Sequence, residues 1–143
     1  ATPQWLFDEL NKEHGFTLDP ASSHDNAKCA KHYTMEDDGL SKDWSGEIVF
    51  INPPYSKCFD WVKKAHSEAK KEDTKVVMLL PARTDTRWFH QFCLDEDVVS
   101  EICFIKGRLK FGDQTNSAPF PSMVVVLDGS KGLHTKFSAR TNK

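Results

Sequence analysis

Glu47-Ile48-Val49-Phe50-Ile51-Asn52-Pro53-Pro54-Tyr55 reads as a strand that stops abruptly. The first five residues have strand character. Two consecutive prolines then end the ladder, because neither has an N–H to donate. They also bias the residues before them toward extended backbone. Asn52 and Tyr55 are therefore held on a stiff turn at the carboxyl end of a strand. In an open α/β sheet, ligands bind at that edge. One amide and one aromatic ring on such a turn suit a planar nitrogen heterocycle. The amide oxygen accepts from an exocyclic amine and the phenol ring stacks on the base. The plain alternative is a proline-stiffened loop without chemistry.

Working outward, the strands alternate with helices. Lys75-Val76-Val77-Met78-Leu79-Leu80-Pro81 is apolar almost throughout, as strands buried on both faces are. Ser56 to about Lys71 shows helical spacing, and Thr86 to Cys93 reads as a second helix. Before them, Thr2 is a candidate N-cap with Pro3 at the first helical position, and Gly15 ends that first helix. Phe16 to Asp19 is a short strand. Ser100 to Ile105 and Ser122 to Leu127 are two more strands with no helix between them. The expected fold is α/β, a mostly parallel sheet with an antiparallel strand pair at one edge. Residues 1–143 form one domain, and 128–143 are expected to be a mobile basic tail.

Composition narrows the function classes. The chain is 38% apolar and 28% charged, and no segment has the apolar length of a membrane span. Its start lacks the pattern of a secretory signal. Cys29, Cys58, Cys93 and Cys103 form no C-x-x-C pair and have no histidine at ligand spacing, so no metal is expected. Cys58, Cys93 and Cys103 sit in apolar company, which fits a reducing, intracellular setting. The net charge is −2, but it is unevenly spread. Residues 1–47 carry ten acids and four bases, while residues 106–143 carry two acids and seven bases. A basic final quarter either meets a polyanion or is a solvated tail.

Several short motifs occur in order: Thr2-Pro3-Gln4-Trp5-Leu6-Phe7, Leu18-Asp19-Pro20-Ala21, Asp37-Asp38-Gly39-Leu40, and Asn52-Pro53-Pro54-Tyr55. Leu80-Pro81-Ala82-Arg83-Thr84-Asp85-Thr86, Gly107-Arg108-Leu109-Lys110-Phe111-Gly112 and Ser117-Ala118-Pro119-Phe120-Pro121-Ser122 complete the set. Together they resemble the phage-type (Dam-like) family of DNA adenine-N6 methyltransferases, over about residues 2–127.

The resemblance implies a small Rossmann-like methyltransferase domain that uses S-adenosylmethionine and acts on a flipped-out adenine of double-stranded DNA. It implies host-cell cytoplasm and a phage or prophage origin. Asn52, Pro53, Pro54 and Tyr55 would form the catalytic pocket. Thr2, Pro3, Trp5, Asp19, Pro20 and one or both of Asp37 and Asp38 would meet the cofactor. The substrate side falls to Arg83, Arg87, Lys106, Arg108, Lys110, Phe111, Ser117 and Phe120, bases interleaved with rings that could clamp a backbone and stack or wedge. One departure stands out. The glycine-rich stretch usual after the first strand is replaced by Pro20-Ala21-Ser22-Ser23-His24. The rival readings are an RNA or glutamine methyltransferase with the same pocket, and a nucleic-acid-binding module without catalysis.

Overall fold

Two apolar runs set the centre of the fold. Lys75–Pro81 becomes strand β2 and Ser122–Leu127 becomes β4; all six β4 residues are buried, as are six of the seven in β2. In the computed structural model, which describes residues 2–112, 117–130 and 134–143, these strands lie side by side in one five-stranded sheet. The others are β1 (Ile48–Ile51), β3 (Val99–Lys106) and β5 (Lys136–Thr141). The order across the sheet is β1-β2-β4-β3-β5. β1 runs parallel to β2, and β3 parallel to β5. β4 runs antiparallel to both of its neighbours.

The mixed α/β class therefore matches expectation, but the antiparallel strand does not sit at an edge. It lies in the middle of the sheet. Its continuous apolar side chains are covered on both faces, alternating between the two core clusters. A second correction concerns the end of the chain. The stretch read as a mobile tail contains β5, which continues the sheet beyond β3. Ala1, residues 113–116 of the 106–121 connection and residues 131–133 of that final stretch lie outside the described residues.

The two faces are covered differently. Helix α1 (Gln4–His14) buries Leu6, Phe7 and Leu10 against Phe50, Val77 and Leu79, with Leu109, Phe111 and Phe120 on the same side. Gly15 closes α1 in the left-handed region, φ 71°, and its N–H reaches the Asn11 carbonyl at 2.8 Å. Helix α2 (Cys58–Glu68) buries Cys58, Trp61, Val62 and Ala65 on the opposite face. The apolar spacing i, i+3, i+4, i+7 is what makes one stripe of α2 face the sheet. A single π-helical turn, Phe89–Cys93, packs beside it.

Glu68 is 3% exposed, accepts the Trp44 backbone N–H at 2.6 Å and pairs with Lys71 at 2.6 Å. It ties the end of α2 to the loop before β1. Among the described residues no helix is long and apolar enough to cross a membrane.

Candidate active site at the carboxyl edge of the sheet

Strand direction brings the expected site residues to one rim. Leu18 pairs in parallel with Val49, so Asp19 emerges at the same edge as Asn52. β2 is parallel to β1, which puts Arg83 there too. β4 starts at this edge, because the Ala82 N–H donates to the Pro121 carbonyl at 2.8 Å and Pro81 pairs with Ser122. The connection from β3 to β4 thus returns beside the Asn52 turn.

A cleft of about 920 Å³ opens on this rim. Its walls are residues 19–26 with Lys28, residues 34–36 and 38–40, and residues 52–57. Asp19 is 4% exposed. Its carboxylate accepts backbone N–H groups from Lys28 at 3.0 Å and from Ala21 at 3.4 Å. Burial pushes this carboxyl above the usual carboxylate range, and the two amides partly offset that. Asp19 is in effect the staple of the 20–28 loop. Opposite it, a Cβ built on Gly39 would lie 2.2 Å from the Pro20 carbonyl oxygen, so two backbones touch here. Gly39 lets the 38–40 turn pack directly on the Pro20 backbone.

The adjacent Asp37 and Asp38 divide. Asp38 lines the cleft, with φ 56°, a left-handed conformation that aspartate tolerates. Asp37 turns away and accepts from the Thr34 N–H at 2.9 Å and the Thr34 hydroxyl at 3.1 Å, which holds its carboxyl below the usual range. Thr2 and Pro20 line the cleft; Pro3 and Trp5 do not. They border a smaller hollow with Lys110, Asn142 and Lys143. Thr2 is not the helix cap either: Pro3 occupies that position and no side chain bonds to the helix start.

The Asn52 turn has three contacts that matter. Asn52 Nδ2 donates to Thr2 Oγ1 at 3.0 Å. The Pro54 carbonyl accepts the Lys57 N–H at 3.0 Å, which closes the turn and leaves the Pro53 carbonyl outside it. Tyr55 is half exposed, and the edge of its ring pair with Phe120 spans 4.7 Å between centroids. The Arg83 guanidinium lies 5.3 Å from the centroid of Phe120. Arg87 lies 4.6 Å from the Phe59 ring. Lys106 is exposed at the end of β3, and Arg108, Lys110 and Ser117 are exposed on the β3–β4 connection.

Two aromatic expectations need correction. Phe111 is 9% exposed and sits in the core layer with Leu109 and Ala118, so it is not poised to stack or wedge. Phe120 is 6% exposed and its outlet is Tyr55. The charge of the final quarter is also partly spent. Arg140 pairs with Glu9 and Glu13, and Lys143 with Glu9. His66 bonds Asp95 at 2.8 Å and His90 bonds the Thr84 carbonyl at 2.7 Å, both structural roles. Among the described residues no three His, Cys, Asp or Glu side chains are grouped to hold a metal ion. Lys28 and Lys57 line the cleft without having been singled out from sequence, and Gly39 and Leu40 line it after being quoted only as part of a motif, with no role assigned. For Gly39 the signal was present, in an Asp-Gly pair inside a polar turn.

The family model described as DNA N-6-adenine-methyltransferase (Dam) matches residues 1–142. The chain belongs to the DNA N-6-adenine-methyltransferase (Dam) family. Relatives of this Dam-family chain include the DNA N-6-adenine-methyltransferase of Haemophilus phage HP1 (strain HP1c1), 32% identical over 136 residues, covering 90% of this chain and 77% of the relative. The DNA N-6-adenine-methyltransferase of Escherichia phage T1 is 37% identical over 134 residues, which is 92% of this chain and 55% of that one. A putative methyltransferase, YfdM, of Escherichia coli (strain K12) is 44% identical over 61 residues, 38% of this chain and 67% of its own. The phage-type resemblance read from the motifs is thus a family membership.

Proposed function

We propose that this Dam-family chain transfers a methyl group from S-adenosylmethionine to N6 of adenine in double-stranded DNA, on a shortened Rossmann-like domain. The observation that carries the reading is the Asn52 turn at the carboxyl edge of β1, opening onto a cleft with ample room for a nucleoside cofactor.

The lining fits the cofactor. Asp19, Asp25, Glu36 and Asp38 face the cleft against Lys28 and Lys57, an acidic balance suited to a cationic ligand. Asp38 is the available acceptor for ribose hydroxyls or an ammonium group. Asp19 holds the 20–28 wall, with both carboxylate oxygens engaged by backbone amides. When bound, the cofactor supplies an electrophilic methyl on a sulfonium.

The protein's part is positioning and electrostatics. An adenine amine is a weak nucleophile because its lone pair is delocalised into the ring. Acceptors aimed at its two hydrogens, Asn52 Oδ1 and the Pro53 carbonyl, favour the pyramidal geometry that frees the lone pair. Neither acceptor is basic enough to take the proton beforehand. The amine nitrogen gains the methyl first, and the proton passes to water during or after transfer. The base must leave the duplex stack to reach this pocket. Tyr55 stacks on it, worth ~1–3 kcal/mol by analogy with base–aromatic stacking. Arg83 and the exposed bases at 106–110 meet the phosphates.

Nucleoside mass spectrometry decides the substrate. The chain is incubated separately with DNA and RNA and labelled S-adenosylmethionine. Labelled N6-methyladenine from DNA supports the reading. Label only in RNA or in protein, or none anywhere, overturns it.

A further inference from the structure

We propose that Thr2 is a positioning residue for the catalytic amide, holding Asn52 with its oxygen turned toward the target amine; this rests on the methyltransferase reading above. A carboxamide has two ends of nearly equal shape and opposite hydrogen-bonding character. Only one orientation presents an acceptor to the adenine N–H. The flipped one faces two donors against each other and stalls the chemistry. The prolines on the C-terminal side of Asn52 restrain its backbone, not its amide, so the carboxamide needs an anchor of its own.

Thr2 is that anchor; a hydroxyl can serve either end of an amide, so Thr2 fixes where the group stands and the N–H donors of the target amine favour the orientation with the oxygen facing them. Its hydroxyl oxygen accepts the Asn52 Nδ2 hydrogen at 3.0 Å. Thr2 is 5% exposed, so this contact is shielded from water and an unpaired Nδ2 would be costly there. The hydroxyl is not consumed by α1, whose start has no side-chain cap. Its β-branched side chain has few rotamers to lose, so the oxygen stays where it is placed. The residue stands 50 positions from Asn52 in the chain, and α1 packed on Phe50 brings it there. Thr2 also lines the cleft, but its bonded partner is the catalytic amide.

The test compares Thr2→Val, which keeps the shape and removes the acceptor, with Thr2→Ser, which keeps the acceptor. Thr2→Ala replaces Thr2→Val if thermal melting shows that the valine variant does not fold. Two readouts are taken. With selective ¹⁵N-asparagine labelling, the Asn52 side-chain amide is followed by hydrogen exchange, its signal assigned by loss in Asn52→Ala. One Nδ2 proton is expected to be protected in the wild type and in Thr2→Ser, and unprotected in Thr2→Val. In steady-state kinetics, Thr2→Val is expected to lose about 10–100-fold in kcat, as for a misplaced catalytic group. Its S-adenosylmethionine Kd by calorimetry and its KM for DNA change far less than kcat, and Thr2→Ser recovers most of kcat. Equal loss in the serine and valine variants, full kcat in Thr2→Val, or a loss confined to cofactor Kd overturns the proposal. A wild-type chain that methylates nothing sinks the function instead, and the exchange contrast still judges the Thr2 contact.

Discussion

The ring of Tyr55 meets the ring of Phe120 edge-on, with centroids 4.7 Å apart and planes at 83°. Phe120 in turn carries the Arg83 guanidinium on its ring. The exposed tyrosine is thus braced from the core by a residue 65 positions later, on the return to β4. An aromatic edge contact adds ~0.5–1.5 kcal/mol beyond area burial. Phe120→Leu keeps apolar volume and removes the ring edge. It is expected to lower kcat/KM on DNA about 2- to 10-fold. S-adenosylmethionine affinity by calorimetry should not change.

The basic end of the chain is expected to contribute unequally to DNA binding. Arg140 lies against Glu9 and Glu13 on α1, whereas Lys110 is exposed on the β3–β4 connection. A phosphate-contacting cation contributes about one unit to the slope of log K against log salt. Lys110→Gln should reduce that slope by about one, measured by fluorescence anisotropy on a duplex. Arg140→Gln should leave the slope unchanged and lower the melting temperature.

Gly39→Ala tests the backbone contact that closes the cleft. The new Cβ would meet the Pro20 carbonyl, which is main chain and has little room to yield. Overpacking of this kind costs ~1–3 kcal/mol. Urea unfolding should register that loss, and calorimetry should show weaker S-adenosylmethionine binding, because the displaced residues are the cleft wall. Unchanged binding with lowered stability would confine Gly39 to folding.

Asp19 gives a pH signature. Its carboxyl is raised by burial, so the folded state holds the proton more tightly than the unfolded chain does. Above the raised value the buried charge costs stability. As pH falls through that value toward the ordinary 3.8, the cost is relieved. Asp19→Asn has no such charge. Its stability advantage over wild type should therefore be greatest near neutrality, shrink as pH falls through the raised value toward about 4, and change no further below that. Unfolding curves of the two proteins across that range check the sign.

Much of this architecture was legible from residues. The prolines after Ile51 and the apolar runs at Lys75 and Ser122 located three strands to within a residue. The placement of β4 was misread because an apolar run reports burial on both faces but not which strands flank it. β5 was missed because its side chains are largely exposed and its pairing with β3 is made by backbone, which leaves no apolar period to read. Within the site, Asn52 and Tyr55 stood out by residue type and position, while Asp19 and the pair Asp37-Asp38 came from the family resemblance, which left open which of the pair faces the cleft. Thr2 was seen as a helix cap, since a threonine before proline carries that local signal and a partner 50 residues away carries none. Phe111 looked free to stack because its basic neighbours alternate with it, but the turn at 107–112 folds its ring under α1.

The central claim is that Asn52 acts on the target amine and not on the cofactor. It is tested most directly by Asn52→Ala, assayed in parallel for methyl transfer to adenine in duplex DNA and for S-adenosylmethionine binding by calorimetry. The account predicts that transfer falls to background while the cofactor Kd is retained. Transfer at the wild-type rate, or loss of cofactor binding in step with loss of transfer, would contradict it.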